Sequence, residues 1–404
     1  MVVALLSTGE EILTGETVDT NSAWLASALN DRGLDVRSMF TVGDALDDLV
    51  DALRLASDRA PVIVMTGGLG PTEDDLTSEA VAVWAGVERA ESVEALDQIE
   101  EWYRARNRTV SAANKKQALL PIGCRILENR WGSAPGFAVE HDGTTVFCLP
   151  GVPMEMRNMF STWVVPGLTP EDSPVLVRMR TFGVAESRLQ SMVGPLDLGD
   201  AVLGFRAHIP EIQIKLRFPS HSSETQRRDV VDRVANVVGP ALYNVDGGDL
   251  AETVVAALGA RSETISLAES CTAGMISAWL ANVPGVSSVL RNGFVLYSNE
   301  SKERMIGVPS DLIKEHGAVS EPVACAMAKR TRALSGTDWG LGITGIAGPG
   351  GGTEAKPVGT VHIAVAGPTR VVHRHAVISG DRMQVRKRAS GALLHLLHCE
   401  MKAD

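Results

Sequence analysis

Ser270 stands in Ala268-Glu269-Ser270-Cys271-Thr272-Ala273-Gly274, directly after the apolar run Thr264-Ile265-Ser266-Leu267 and before Met275-Ile276-Ser277-Ala278-Trp279-Leu280, which reads as a helix. A serine at a strand-to-helix turn holds an exposed hydroxyl before the N–H groups of the following helix, as an acyl-transfer nucleophile and its oxyanion site require. Serine is also a favoured N-cap, so position alone leaves both roles open. Tyr297-Ser298-Asn299-Glu300-Ser301-Lys302 tips the balance, because it supplies two side chains able to activate a serine without histidine. A lysine shielded from water gives up its proton readily and can serve as base. Taken singly, Lys302 reads as a solvated surface lysine and Tyr297 as a core ring at a strand end; with Ser270 they form a constellation.

Two glycine-rich stretches point to bound anions. Gly345-Ile346-Ala347-Gly348-Pro349-Gly350-Gly351-Gly352 follows a strand-like run, with Thr344 at the junction and Arg382 at the start of the last helix. Glycine lets backbone N–H groups approach an anion without a Cβ clash, so Thr344, Gly345, Ala347, Gly348, Gly350 and Arg382 are the candidate phosphate-binding residues. Near the other end lies Thr66-Gly67-Gly68-Leu69-Gly70-Pro71-Thr72-Glu73-Asp74-Asp75-Leu76-Thr77. Gly67, Gly68, Gly70 and Thr72 are placed to cradle a pyrophosphate at a strand end, and Asp74 and Asp75 to hold a hard divalent cation. The same acidic run would also compensate the charge of a helix N-terminus.

The C-terminal stretches resemble the nicotinamide-nucleotide amidase domain of the CinA family (competence/damage-inducible proteins). The likeness runs from about Asp249 to the C-terminus and rests on Ala268-Glu269-Ser270-Cys271-Thr272, Tyr297-Ser298-Asn299-Glu300, Met305-Ile306-Gly307-Val308, His316-Gly317-Ala318-Val319-Ser320-Glu321-Pro322, Gly345-Ile346-Ala347-Gly348-Pro349 and Lys356-Pro357-Val358-Gly359-Thr360. It implies a catalytic serine, tyrosine and lysine at Ser270, Tyr297 and Lys302. Ser270 would attack the carboxamide carbon of nicotinamide mononucleotide, expel ammonia and leave an acyl-enzyme for water to open. Lys302, neutral in the folded site, would be the base, Tyr297 would orient or relay the proton, and the glycine loop would hold the 5′-phosphate without any cofactor. Cys271 is the rival nucleophile, ranked second because the family uses the serine and because Cys271 would begin the helix, where a small side chain packs inward.

The N-terminal half is similar to the CinA N-terminal domain from about Val3 to Phe160, and more broadly to the molybdopterin-binding fold of molybdenum-cofactor biosynthesis enzymes. The likeness rests on the Gly67 loop with Gly9-Glu10-Glu11-Ile12-Leu13, Asp19-Thr20-Asn21, Ala134-Pro135-Gly136-Phe137 and Leu149-Pro150-Gly151-Val152-Pro153-Met154-Glu155. In that family this domain is associated with metal-dependent cleavage of ADP-ribose to AMP and ribose 5-phosphate. A divalent cation, Mg²⁺ or a transition metal, is therefore implied. Asp75 falls on the position of an essential aspartate, while Asp74, Glu10 and Glu155 are further ligands or bases whose individual roles stay open. Glu10 and Glu11 are expected in a loop after the first strand. Two other functions also stay open: binding or adenylylation of molybdopterin by this domain, and a non-catalytic part in DNA uptake or recombination, which the family name invites.

Three regions must position these residues. Strands over 2–6, 36–40, 62–65 and 145–149, alternating with helices over 22–32, 45–56 and 78–84, predict a mainly parallel α/β sheet covered on both faces within residues 1–166. The breaker-rich linker 166–174 closes it. A small α+β module over 175–245 follows, with strands over 176–182 and 211–217 and helices over 186–192 and 226–238. The family has a module likened to the KH fold here, but no Gly-x-x-Gly loop occurs between 176 and 245, so a spacer or dimerisation role is expected over RNA binding. After a hinge at Asp246-Gly247-Gly248-Asp249, a second α/β domain spans 249–404. Its helices fall over 250–258, 322–334 and about 382–398, and its strands over 339–343 and 360–366.

Composition limits the classes. At 404 residues the chain exceeds one ordinary core, and a net charge of −11 counts against a general nucleic-acid binder. Its five cysteines are scattered without Cys-x-x-Cys spacing, which suggests neither a disulfide framework nor a zinc site and fits a reducing, cytoplasmic compartment. Val2-Val3-Ala4-Leu5-Leu6 turns polar at once and reads as a buried strand rather than a signal peptide. No apolar run reaches the ~18 residues of a membrane span. The expected partners are small nucleotides and a second copy of the chain in a dimer.

Overall fold

The computed structural model of the chain describes residues 1–168 and 174–403, so Thr169 to Ser173 of the expected linker lie outside the described residues. The fold is α/β, in two compact units: 1–176 with 219–221, and 177–218 with 222–404. Among the described residues no helix is long and apolar enough to cross a membrane.

In the first unit, β1 (Val2–Thr8), β2 (Asp35–Val42), β3 (Val62–Thr66), β4 (Arg89–Glu91), β5 (Leu119–Pro121), β6 (Arg125–Leu127), β7 (Gly136–His141) and β8 (Thr144–Leu149) form a six-stranded sheet and a two-stranded one. The order β2-β1-β3-β8-β7-β6 is parallel across the first four strands, with β7 and β6 antiparallel at the far edge. β1 and β3 are apolar up to their polar C-terminal ends, Ser7-Thr8 and Thr66, because both their faces are covered. On one face Leu25, Leu29, Met156 and Phe160 pack over Val3, Leu5 and Val64; on the other Leu49, Leu53, Val81 and Trp84 cover Leu6, Ile63 and Met65. Helices α1 (Glu10–Leu13), α2 (Thr20–Asn30), α3 (Leu46–Ser57), α4 (Thr77–Ala85), α5 (Val93–Arg104), α6 (Ala112–Lys115) and α7 (Pro153–Met159) complete it. Asp19 caps α2 by accepting from Ser22 N, and α4 stops where Gly86 turns left-handed. The expected loop at Glu10 and Glu11 is instead the short helix α1, too brief for sequence periodicity to reveal.

The second unit opens with β9 (Val175–Phe182), α8 (Glu186–Val193), β10 (Val202–His208), β11 (Glu211–Phe218), α9 (Glu224–Val238) and β12 (Leu242–Val245), whose strands form the sheet β10-β11-β9-β12. The expected hinge is pinned. Arg178 and Asp246 exchange backbone and side-chain hydrogen bonds, Arg180 donates to Gly247 O (3.0 Å), and Glu211 accepts from both Arg180 (3.2 Å) and Leu250 N (3.2 Å).

Beyond it come α10 (Leu250–Ala260), β13 (Ile265–Glu269), α11 (Met275–Ala281), β14 (Leu290–Val295), α12 (Asn299–Ile306), α13 (Ser310–His316), α14 (Glu321–Ser335), β15 (Trp339–Gly345), β16 (Thr360–Ala366), β17 (Val371–Val377) and α15 (Arg382–Ala403). The sheet order is β14-β13-β15-β16-β17, parallel up to β15 and antiparallel after it. α10 and α15 cover one face through Val254, Leu258, Leu393 and Leu397. α14 covers the other at close range: a Cβ on Gly342 would lie 2.4 Å from Ala324 O, so only glycine admits that helix.

Candidate active sites

Both glycine loops lie at the C-terminal ends of parallel strands, where α/β sheets leave a crevice. In the second unit, Ser270, Tyr297 and Lys302 together with Thr344, Gly345, Ala347, Gly348, Gly350 and Arg382 line one cavity of about 250 Å³.

Ser270 directly follows β13, and its N–H donates to Ile343 O (3.1 Å), extending the pairing with β15 by one residue. The chain then turns through Ala273 (φ 50°) and Gly274 (φ 85°) before α11 begins at Met275. A left-handed alanine costs on the order of 1 kcal/mol. Lys302 enters from α12, which Ser298 caps by accepting from Ser301 N (3.1 Å). The side chain is 1 % exposed, with Nζ 3.1 Å from Ser270 Oγ, 2.9 Å from Leu296 O and 3.4 Å from Ser298 O. Burial pushes the Lys302 pKa below its usual value against the weaker opposing pull of Cys271 and Glu300. Two of the three neighbours of Nζ are carbonyls that can only accept. A neutral amine satisfies them with its two N–H bonds and turns its lone pair to the hydroxyl.

Tyr297 is neither in the core nor bonded to the serine. Its ring is 60 % exposed at the cavity mouth, and its hydroxyl accepts from Arg382 Nη2 (2.9 Å), while Arg382 Nη1 donates to Gly348 O (2.7 Å). Thr344 Oγ1 donates to Ala318 O (2.8 Å), and Gly348 (φ 82°) leaves no room for a Cβ, which would lie 2.6 Å from Val358. Cys271 sits in the turn rather than at the helix start. It does pack inward, and burial pushes its thiol up to about 12, far from the thiolate a nucleophile needs. The N–H groups of α11 that a substrate oxyanion was expected to meet are already taken. Glu269, fully buried, accepts from Ile276 N (3.2 Å) and Ser277 N (2.8 Å). The role of Glu269 had a visible sign in the sequence, an acidic residue inside an apolar strand; the lining residues Asn299, Ala318, Val319 and Gly351 had none.

The first unit holds a larger cavity of about 560 Å³, bordered by the ends of β1, β3 and β8. Gly67, Gly68, Gly70, Asp74, Asp75 and Glu155 line it; Thr72 and Glu10 do not, and Glu11 lies there instead of its neighbour. Gly67 (φ 103°) passes so close to β1 that a Cβ would lie 2.5 Å from Thr8 O. The Asp75 carboxylate accepts from Gly70 N (2.7 Å), Thr72 N (2.8 Å) and Thr72 Oγ1 (2.6 Å), so it folds the loop on itself. Glu155 accepts from Asn129 (2.7 Å), and the Asp74 carboxyl is held below its usual pKa by its hydrogen-bonding surroundings, Thr72 first, and by Lys116. Glu11, Asp19 and Asp44 add to the lining, which contains no lysine or arginine. Among the described residues, no three His, Cys, Asp or Glu side chains are grouped to hold a metal. The donors are nonetheless all hard oxygens, which suits a hard divalent cation shared with substrate phosphates rather than caged by protein, and does not suit a soft transition metal.

Fold and sites thus define an α/β protein with two separate glycine-loop cavities, one built around a serine–lysine pair and one acidic. Residues 248–401 match the CinA C-terminal domain and residues 4–170 match a probable molybdopterin binding domain. The chain is 43 % identical over 409 residues to a CinA-like protein of Anaeromyxobacter dehalogenans (strain 2CP-C), covering 100 % of both. It is 40 % identical over 371 residues, 91 % of this chain and 88 % of the other, to a Shewanella oneidensis protein named nicotinamide-nucleotide amidohydrolase PncC. A solved CinA structure from Thermoplasma acidophilum is 36 % identical, with 41 % of this chain and 96 % of that one aligned at a TM-score of 0.39. The chain belongs to the CinA family.

Proposed function

We propose that the second unit deamidates nicotinamide mononucleotide to nicotinate mononucleotide and ammonia. The observation that carries this reading is the Lys302 amine, buried and 3.1 Å from Ser270 Oγ with its other neighbours two carbonyl oxygens. The neutral amine takes the hydroxyl proton as Ser270 Oγ attacks the carboxamide carbon. It returns that proton to the departing nitrogen, which leaves as ammonia, and water then opens the acyl-enzyme by the same route in reverse. The loop from Thr344 to Gly350 and Arg382 hold the phosphate of the nucleotide, and Tyr297, bonded to Arg382, orients that guanidinium at the mouth. The PncC name of the Shewanella relative agrees with this substrate.

For the first unit we propose cleavage of ADP-ribose to AMP and ribose 5-phosphate. The cavity lining is rich in carboxylates, with Lys116 and Arg89 only beside the glycine loop, so a pyrophosphate there favours an accompanying cation. A divalent cation would enter on the substrate phosphates and meet Asp74, Asp75 or Glu155 singly rather than as a preformed cluster, and when bound would neutralise the pyrophosphate oxygens. Gly67, Gly68 and Gly70 bring main chain against the phosphates, and Asp75 keeps that loop folded. The match to a molybdopterin binding domain favours a second reading, adenylylation or binding of molybdopterin, and the products separate the two.

The test is product identification by mass spectrometry after incubating the full chain with nicotinamide mononucleotide and with ADP-ribose, each with and without chelator. Ammonia release should survive the chelator and AMP formation should stop. Equal loss of both contradicts the division of labour, and molybdopterin adenylylation without AMP release replaces the pyrophosphatase reading.

A further inference from the structure

The most deeply buried charged group beside the second cavity takes no part in the chemistry above. Glu269 is 0 % exposed, one residue before Ser270, and makes no ion pair among the described residues. Removing a carboxylate from water without a cation is unfavourable, so an apolar side chain would suit the strand better if packing were its only duty. Its bonds show what it does instead. Oε1 accepts from Ser277 N (2.8 Å) and Ser277 Oγ (2.7 Å), and Oε2 from Ile276 N (3.2 Å). α11 has no side-chain cap of its own, since its N-cap is Gly274. The carboxylate therefore reaches from the last residue of β13 across the turn that carries Ser270 and fastens the first turn of α11.

That turn needs fastening. Ala273 and Gly274 are both left-handed, and the remaining anchors are Ser270 N on Ile343 O, two short-range backbone bonds, and Arg386 Nη2 on Thr272 O (2.6 Å). On the reading that Ser270 and Lys302 carry the amidase, we propose that Glu269 is a positioning residue: it fixes both ends of the turn and so holds Ser270 Oγ within reach of Lys302 Nζ. It touches neither substrate nor the reacting atoms.

The experiment compares Ser277→Ala, Glu269→Gln and Glu269→Ala in the full chain, measuring kcat and KM for nicotinamide mononucleotide, the pH profile of kcat, and the folded fraction. Ser277→Ala removes one of three hydrogen bonds and should lower kcat about fivefold. Glu269→Gln keeps the shape but points an amide N–H₂ group at N–H donors, and should lower kcat further. Glu269→Ala frees the turn, and a displacement of the nucleophile by about 1 Å costs about 100-fold in kcat. KM should stay within about twofold, because the phosphate-binding loop is untouched. The acid limb of kcat should move to higher pH as water reaches the Lys302 amine and favours its charged form. A purely structural role would instead reduce the folded fraction and leave kcat per folded chain, KM and the limb unchanged, which overturns the proposal. If Glu269→Ala does not fold, Ser277→Ala and Glu269→Gln decide on the same criteria. Ser270→Ala is run alongside: its silence with normal Glu269 variants overturns this inference alone, whereas its full turnover overturns the amidase reading beneath it.

Discussion

A lysine that is 1 % exposed and has no carboxylate bonded to it is an expensive residue, and its cost explains its use. The unfolded chain holds the Lys302 proton up to the ordinary 10.5, whereas burial lowers that value in the fold. Between the two values the unfolded state binds a proton that the folded state does not, so stability rises with pH across that window. Below the lowered value the amine is charged in both states and the burial penalty is present in full. Activity runs in the same direction, because only the neutral amine is a base. The acid limb of kcat should therefore lie below 10.5, and Lys302→Arg, which keeps length and charge but cannot deprotonate, should lower kcat by about 1000-fold across the whole pH range with the nucleotide still bound. A Lys302→Arg enzyme with a normal limb would remove the base from the account. At this scale the sequence was informative where motif residues face one another. Ser270, Lys302, Thr344 and Arg382 line one cavity, as their order and types suggested. Tyr297 was not legible: residue type says nothing of which partner a hydroxyl finds, and here it is Arg382. Nor was Glu10, because a step of one residue in the short helix α1 puts Glu11 at the cavity instead.

Long apolar runs were legible and most edge strands were not, although the edge strand β2 was foreseen and the interior strand β7 was missed. β1, β3 and β15 are apolar runs because sheet neighbours and helices enclose them, and each was placed within two residues of its ends. β14, β17 and β10 sit at sheet edges with Arg, His and Asn along them, so no periodicity announces them. α15 was foreseen but runs on to Ala403. The helix after Ser270 was read from Met275, where α11 begins, but the expectation that Cys271 would start it fails because the left-handed Ala273 and Gly274 keep Cys271 in the turn. The close contact between α14 and the sheet helps to position the cavity, as α14 begins two residues after the lining residue Val319. Gly342→Ala would press a methyl group against Ala324 O at 2.4 Å and Ala328 N at 2.7 Å, both backbone atoms that cannot rotate aside. It should destabilise the chain by about 3 kcal/mol, read as a lowered urea midpoint at unchanged slope. An unchanged midpoint would mean that α14 is free to stand off the sheet.

Over the whole molecule, two units carry two cavities of different lining, and the proposed functions make their chemistry separable. The α/β class followed from the alternation of short apolar runs with helical stretches; that the small module, with its own sheet, would belong to one unit with the C-terminal domain did not, since bonds such as Arg180 to Glu211 and Glu211 to Leu250 link residues distant in sequence. A net charge of −11 fits nucleotide chemistry carried by loops better than a nucleic-acid surface. The central claim is that Ser270 opens the amide. It is tested most directly by ammonia release from nicotinamide mononucleotide at saturating substrate, comparing the native chain with Ser270→Ala at equal folded concentration and following ADP-ribose cleavage in the same samples. The account predicts steady ammonia release from the native chain, almost none from Ser270→Ala because covalent catalysis and its geometry are gone, and equal ADP-ribose cleavage by both. Near-normal ammonia release by Ser270→Ala would contradict it.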